Sequence, residues 1–174
     1  MPLSPSIVER LARARGDLRL GLPVVLKIND RAALAVAVEA LTPQRLADLR
    51  QIGVPELALT ARRAATLKAQ VYDGDIARLA LPTDADLGWL RAMADPADDL
   101  RVPMKGPFLC LRGGEPDLHR AALDLVKAAH LLPAAVLIPV TDGAEAAALT
   151  NLTLIDLHEA APELARAATM HEVV

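Results

Sequence analysis

The residues that could carry chemistry lie far apart in this sequence. Asp30 and Arg31 stand in a turn between two hydrophobic stretches, Arg112 precedes a pair of glycines, and His119 lies near the start of a predicted helix. Imidazole, carboxylate and guanidinium groups can transfer protons or hold anions when they converge within hydrogen-bonding distance. Their spacing is not that of a metal site, nor that of a nucleophile with its base. By themselves these residues therefore predict no assembled catalytic, cofactor or metal site.

Each candidate residue also has a simpler structural interpretation. Asp30 and Arg31 fit a hairpin turn, and Arg112 fits the exit from a strand as well as it fits an anion site. His119 fits a polar position at a helix start better than a metal ligand. Cys110 is predicted to be a buried, inert thiol, because no nearby cation would favour its thiolate.

A cluster of aspartates offers a further candidate site. One interpretation is a weak cation site, but we expect a solvated loop face in which Asp84 caps a helix. The cluster comprises Asp73, Asp75, Asp84 and Asp86.

The composition indicates one domain with an alanine-rich core. Of the 174 residues, 53% are hydrophobic but only 2% are aromatic, so the core must be broad rather than bulky. The formal net charge is -3 and the charges are dispersed, which excludes the basic stripe of a nucleic-acid-binding protein. No apolar run could span a bilayer, no signal-peptide core is visible, and the single cysteine excludes an internal disulfide. We expect a cytoplasmic protein with one domain over residues 1–174 that binds neither nucleic acid nor membrane.

The stretch 117–140 reads DLHRAALDLVKAAHLLPAAVLIPV and predicts a helix, a short turn and a buried strand. Asp117 is expected to cap the helix, since its carboxylate could accept hydrogen bonds from the first turn. The segment 134–138 is apolar without alternation, as in a strand that is covered on both faces. Three charged residues fall at helical spacing along one side of the helix, where they could form ion pairs. These are Arg120, Asp124 and Lys127.

Helices and strands alternate along the rest of the chain. We predict helices at 5–14, 43–52, 61–69 (with Arg62 and Arg63 on the outside), 84–93 and 157–168. We predict strands at 23–28, 33–39, 56–60, 76–81, 108–112 and 153–156, with loops at 94–106 and, apart from one helical turn at most, at 141–148. The first two strands form a hairpin. This order predicts the α/β class with α+β-like character, in which helices flank a mixed, twisted sheet.

Several residues mark the ends of the first two helices. Ser6 and Glu9 have the spacing of a capping box, and Gly16 is expected to end the first helix. Thr42 is predicted to cap the second helix, which Gly53 would terminate.

The stretch 117–140 closely resembles a segment near the C-terminus of dihydroxybutanone phosphate synthase, a riboflavin-pathway enzyme. That segment runs Gly-His-Thr-Glu-Ala, a helix, a Leu-x-Pro-Ala turn and a strand that ends in a glutamate. The matching frame comprises Ala121, Ala122, Asp124, Leu125, Ala128, Leu131, Pro133, Ala134 and Val136. Three more segments resemble the family, namely VVLKINDRAALAVAVEALTPQR, LALTARRAATL and DADLGWLRAMADPADDLR, and 108–112 takes the place of a Phe-Pro-Leu-x-Arg segment. The resemblance covers most of residues 20–140 and implies the family's single-domain fold.

The reactive positions of that family do not match. Leu118 stands where the family has its metal-binding histidine, and Pro139 stands where the strand-end glutamate belongs. The family's acidic run Glu-Asn-Glu-Gly-Asp is absent, and RLALP at 78–82 replaces the glycine- and threonine-rich loop that holds the sugar phosphate. The resemblance therefore implies a degenerate domain without catalytic, cofactor-binding or metal-binding residues. Its remnant positions would be Asp30, Arg31, Arg112 and His119.

The degenerate domain resembles the part that is fused in front of GTP cyclohydrolase II, whose chemistry uses a cysteine-rich zinc site that is absent from this sequence. The resemblance implies a homodimer that supports a GTP cyclohydrolase II domain in the same, longer chain, with the junction close to Val174. Two alternatives stay open. One is an enzyme of altered specificity that acts on a sugar phosphate, and the other is a ligand-sensing regulatory domain.

Overall fold

The computed structural model describes residues 2–103 and 106–172, with side chains through residue 170. Part of the predicted loop 94–106 and the expected junction at the C-terminus therefore lie outside the described residues. The helices are α1 (Ile7–Arg19), α2 (Pro43–Ile52), α3 (Ala61–Leu67), α4 (Leu87–Ala94), α5 (Asp117–Ala128), α6 (Gly143–Thr150) and α7 (Leu157–Glu172), with a short 3₁₀ helix at Pro96–Asp98. The strands are β1 (Val24–Ile28), β2 (Arg31–Ala37), β3 (Glu56–Thr60), β4 (Ile76–Ala80), β5 (Ala134–Val140) and β6 (Leu154–Asp156).

All six of these strands form one mixed sheet in the order β4-β3-β5-β2-β1-β6. β1 and β2 form the predicted antiparallel hairpin, with Val24 opposite Ala35. β5 pairs antiparallel with both β2 and β3, β3 pairs antiparallel with β4, and β6 pairs parallel with β1. The predicted fold class, a mixed sheet with flanking helices, is therefore confirmed.

Helices cover both faces of the sheet. One buried core joins α1, α5 and α7 to the sheet, and the other joins α2, α3 and α4 to the opposite face. On the face toward α5 the strands present small buried side chains, which let the helix lie close to the sheet. These are Ala33, Ala35, Ala37, Ala58 and Ala135. As a result α5 contacts β1, β2, β3 and β5, and its first turn lies at the sheet. Within the described chain, each helix is too short or too polar to cross a membrane.

The predicted helix starts are confirmed at α1 and α2. The Ser6 side chain accepts from the Glu9 backbone N–H at 3.2 Å, and the Glu9 carboxylate accepts from the Ser6 N–H at 2.8 Å. Thr42 accepts from the Arg45 N–H at 3.2 Å. Each cap satisfies N–H groups that have no partner within the helix.

The predicted end of α1 at Gly16 is wrong. The helix continues for almost another turn because Leu18 extends its buried stripe and is only 1% exposed. The chain leaves the helix at Gly21, which has a φ of 79°. A Cβ at Gly21 would lie 2.5 Å from the carbonyl oxygen of Ala40, so only glycine fits this close approach.

The predicted strand at 108–112 is also wrong. The segment lies along the outer edge of β4 but forms only an isolated bridge, between Cys110 and Leu79. Leu109 is 70% exposed. Cys110 is half-buried rather than buried as we predicted.

The predicted loop at 141–148 is a helix instead. Asp142 caps α6 by accepting from the Glu145 N–H at 3.0 Å, and the alanine-rich sequence has high helix propensity. Gly143 is the buried residue of α6 in the described chain, and a Cβ there would lie 2.8 Å from the Cβ of Ala32. The rest of α6 is largely exposed although apolar, which explains why hydrophobic periodicity did not reveal it.

Arg63 is buried, contrary to our prediction that it lies on the outside of its helix. It is 7% exposed and donates to the carbonyl oxygens of Met93 at 2.7 Å and Ala92 at 2.9 Å. Its guanidinium also binds both carboxylate oxygens of Asp99, each at 2.7 Å. One side chain thus satisfies carbonyls at the C-terminal end of α4 and fixes the segment that follows it. The neighbouring Arg62 is exposed, as predicted.

Candidate functional site

The candidate site lies at the start of α5. Asp117 is the first residue of the helix, but Pro116 occupies the cap position and no side chain caps the helix. The predicted role of Asp117 as the cap is therefore wrong. Its carboxylate instead lies 3.2 Å from the guanidinium of Arg31, at the start of β2, and 3.7 Å from that of Arg120. Asp117 still stands in the first turn, where the helix dipole favours a negative charge.

His119 is buried at the start of α5 and binds a carboxylate on the sheet. Its Nε2 lies 2.6 Å from an Oε of Glu56, the first residue of β3. Glu56 stands opposite Leu137 of β5 and therefore on the face of the sheet that α5 covers. His119 lies in the first turn of the helix, as predicted, and is only 6% exposed. The packing of the first turn of α5 on the sheet buries this imidazole.

The Glu56 carboxylate fixes the tautomer of a neutral His119. When Glu56 is ionised, Nε2 carries the proton and donates it, which leaves Nδ1 as an acceptor. Nδ1 is buried and has no hydrogen-bond partner among the described residues. A carboxylate that orients an imidazole in this way is one component of an acid–base site. Because Nδ1 is enclosed, it cannot meet a dissolved substrate in this arrangement.

The positions that would hold a metal in the resembling family have no ligand atoms here. Leu118 is 7% exposed and belongs to the core between α5 and the sheet. Pro139 stands opposite Ala33 near the end of β5 and offers no donor side chain. Within the described ranges, no three His, Cys, Asp or Glu side chains come close enough to hold a metal ion. Magnesium prefers several oxygen ligands, so these residues do not fit the family's metal.

Three of the four aspartates in the predicted cluster have partners within the protein, two in ion pairs and one as a helix cap. Asp73 accepts from the buried Arg78 at 2.8 and 3.1 Å. Asp75 accepts from Arg120 through two bonds of 2.9 Å. Asp86, rather than Asp84 as predicted, caps α4 by accepting from a backbone N–H at 2.8 Å. A cation site in this loop is therefore not supported by the geometry.

The ion pair between Asp75 and Arg120 perturbs both groups. The hydrogen bond from Arg120 holds the pKa of Asp75 below its ordinary value. In return, the hydrogen bond to Asp75 raises the pKa of Arg120. Arg120 was expected to pair with Asp124 along the helix, and this prediction is wrong because Arg120 binds Asp75 and Asp117 instead. Burial raises the pKa of Asp124.

The four remnant positions do not converge. Arg31 binds Asp117, and His119 binds Glu56. The guanidinium carbon of Arg112 lies 4.7 Å from the ring centroid of Tyr72, a cation–π contact at the surface. Asp30 is exposed in the hairpin turn, beside a cavity of about 270 Å³ that Arg31 also lines. Among the described residues, no hydrogen bond or ion pair joins any two of these four.

The sequence alone did not reveal Glu56 as the partner of His119, nor the burial of Arg63. Glu56 and His119 are separated by 63 positions, so no local spacing could have joined them. The sequence feature that could have revealed Glu56 is a glutamate at the start of an apolar strand that packs against a helix. A larger cavity, of about 730 Å³, lies by Cys110, Phe108, Lys68 and Asp99, and Asp99 is held there by Arg63.

Comparisons with known proteins agree with this fold. No family model matches the sequence. The chain is 31% identical over 162 residues to GTP cyclohydrolase-2 of Azospirillum brasilense, and the match covers 89% of this chain and 42% of that protein. The chain therefore spans less than half the length of this relative.

Solved structures of 3,4-dihydroxy-2-butanone 4-phosphate synthase share the fold. The cation-free form superposes with a TM-score of 0.69 at 15% identity, over 90% of this chain and 97% of that one. The enzyme of Candida albicans gives 0.66 at 16% identity, over 88% and 96% of the two chains. A two-domain synthase of A. baumannii gives 0.62 at 16% identity, over 89% of this chain but 56% of its own. The chain thus has the fold of this synthase, as the resemblance implied.

Proposed function

We propose that this chain is a catalytically silent domain with the fold of 3,4-dihydroxy-2-butanone 4-phosphate synthase, and that it supports a GTP cyclohydrolase II in riboflavin biosynthesis. The domain would act in the cytoplasm, as the N-terminal part of a longer chain, and would form a homodimer. The likeness to a much longer GTP cyclohydrolase-2 supports the association. At the start of α5, Arg31 pairs with Asp117, and Glu56 pairs with the buried His119. These pairings support a structural role for the region.

One observation carries the proposal. Leu118 packs into the core where the resemblance places the metal-binding histidine. A rearrangement of a pentulose phosphate needs a polarised carbonyl and groups that move protons. An aliphatic side chain supplies neither, and Pro139 cannot replace the missing carboxylate. The surrounding Arg31, Arg78 and Arg120 are engaged by aspartates rather than free for a phosphate.

The direct test is an incubation of the chain with ribulose 5-phosphate and Mg²⁺, followed by proton NMR for formate. An authentic 3,4-dihydroxy-2-butanone 4-phosphate synthase serves as the positive control. We expect no formate above a protein-free blank. Formate at an enzyme-like rate would refute catalytic silence.

The dimeric role is tested separately by sedimentation equilibrium. We expect a two-fold assembly, because closed two-fold symmetry is the commonest arrangement of soluble oligomers. A chain that stays monomeric at high micromolar concentration would contradict the role in dimerisation and leave the catalytic test unaffected.

A second candidate function is acid–base catalysis with altered specificity, which the pair of His119 and Glu56 favours. Its imidazole has an acceptor nitrogen without a partner in the described chain, and its carboxylate fixes the tautomer. In that case a sugar phosphate would be consumed by the wild-type chain and not by His119→Gln. The enclosed position of Nδ1 makes this candidate the less supported of the two.

A further inference from the structure

A carboxylate of α5 faces a cleft on the side of the molecule where α5 and α7 end. The cleft has a volume of about 430 Å³, within the range of small-molecule sites. Its walls are mainly aliphatic and are formed by Ala128, Leu131, Leu164, Ala167 and Ala168. Asp124, Lys127 and His130 supply its polar groups.

The two basic residues at helical spacing from Asp124 form no ion pair with it. Arg120, one turn before it, binds Asp75 through two hydrogen bonds and also lies near Asp117. Lys127 is exposed and forms no ion pair with Asp124 within 4.0 Å. Asp124 is half-buried, and in the described part of the chain its carboxylate accepts no hydrogen bond. A half-buried carboxylate without a donor is costly, so it favours a ligand that brings one.

The charge pattern of the cleft selects the kind of donor. The described side chains that α7 contributes to the cleft are Leu164, Ala167 and Ala168, and none of the three is charged. The cleft lies at the C-terminal end of α5, where the helix dipole favours a positive group. Burial raises the pKa of Asp124, and the positive charge of the nearby Lys127 offsets this shift only in part. A cationic donor would reverse this shift.

We propose that this cleft binds a small aliphatic ammonium compound, whose ammonium group donates to Asp124 while its hydrocarbon part packs against Leu131 and Leu164. The site is distinct from the start of α5 and does not depend on the catalytic state of the domain. It would make the domain responsive to a small amine.

The test is a titration of the whole chain with isopentylamine hydrochloride, monitored by ¹⁵N–¹H NMR. We expect saturable shifts at the backbone amides of residues 124–131 and 164–168. Isovalerate, which has the same hydrocarbon part but a carboxylate, should give no saturable shifts there. Saturation by both compounds alike would overturn the proposal, since the cleft would then bind hydrocarbon alone.

The matched variants are Asp124→Asn and Asp48→Asn. Asp48 is an exposed aspartate on α2, on the other face of the sheet. We expect isopentylamine to bind Asp124→Asn at least about tenfold more weakly, and Asp48→Asn as tightly as the wild type. Unchanged affinity in Asp124→Asn, or no saturable shifts in the wild type, would refute the proposed site. Folding of each variant is verified from the dispersion of the same spectra.

Discussion

The Nε2 atom of His119 lies 2.6 Å from a carboxylate oxygen of Glu56, and this contact links the first turn of α5 to the first residue of β3. Both side chains lie between α5 and the face of the sheet on which Leu137 is found. Removal of either partner would leave the other polar group without its hydrogen bond, which costs free energy. The pair therefore holds the first turn of α5 against the sheet.

Removal of Glu56 should destabilise the fold. In Glu56→Ala the buried imidazole would lose its partner, which costs about 1–3 kcal/mol in the free energy of unfolding. Urea denaturation measures the change, and Glu115→Ala, an exposed glutamate just before α5, is the control. The double variant His119→Leu/Glu56→Leu should recover much of the loss, since no polar atom is left unpaired. Equal stability of Glu56→Ala and the control would contradict the structural role of the pair.

The buried guanidinium of Arg63 makes a stronger prediction. Arg63→Ala would remove the guanidinium that binds the Asp99 carboxylate and the carbonyls at the end of α4. We expect a loss of about 3–5 kcal/mol, as for other broken ion pairs in protein interiors.

The neighbouring residue supplies the control for this prediction. Arg62→Ala, at an exposed position on the same helix, should change the stability by no more than about 0.5 kcal/mol. Thermal or urea denaturation of both variants distinguishes the two positions. Similar losses in the free energy of unfolding would show that the buried Arg63 contributes no more stability than the exposed Arg62.

The stability contributed by Asp124 should decrease as the pH rises. Its pKa in the folded state lies above the ordinary value of 3.8, because burial disfavours the carboxylate. The folded state therefore binds the proton more tightly than the unfolded state, and stability falls as the pH rises from 3.8 through the raised pKa. We expect Asp124→Asn to melt at a higher temperature than the wild type at pH 7. The difference should shrink below pH 3.8. A variant that melts lower at pH 7 would contradict the desolvation of this group.

Asp75 should behave in the opposite way. The hydrogen bond from Arg120 lowers its pKa, so its contribution is present above the ordinary value of 3.8 and is lost as the pH falls through the lowered pKa. Asp75→Asn should therefore be less stable than the wild type at pH 7 and approach it in strong acid. The pair is largely exposed, so the difference at pH 7 should be below about 1 kcal/mol. Melting curves across this pH range test the prediction. A difference in melting temperature between the wild type and the variant that is largest in acid would contradict it.

Local rules predicted much of the fold. The hairpin followed from apolar runs on either side of Asn29 and Asp30, and the caps at Ser6 and Thr42 followed from their spacing to later residues. β3 has the predicted bounds because a short apolar run is followed by a helix cap. These features depend on neighbours within a few positions, which a single sequence contains.

The errors arose where distant contacts decide the structure. The segment 108–112 has the composition of a strand, but it forms only a short bridge to β4, in which the backbones of Leu109 and Leu111 hydrogen-bond to Ala80 and Arg78. Arg63 has the sequence context of a surface residue and is buried because α4 and Asp99 surround it. At the candidate site, the substitutions Leu118 and Pro139 could be read from the sequence, whereas the partner of His119 required the packing of α5 on β3.

We propose that the synthase fold is present here without the side chains that hold the family's metal. A titration with Mn²⁺, a paramagnetic substitute for Mg²⁺, tests it most directly through the electron paramagnetic resonance signal of the free ion. We predict that the signal with protein equals that of the buffer, apart from weak binding that salt removes. One tightly bound Mn²⁺ per chain, lost in Glu56→Gln or His119→Gln, would contradict the claim.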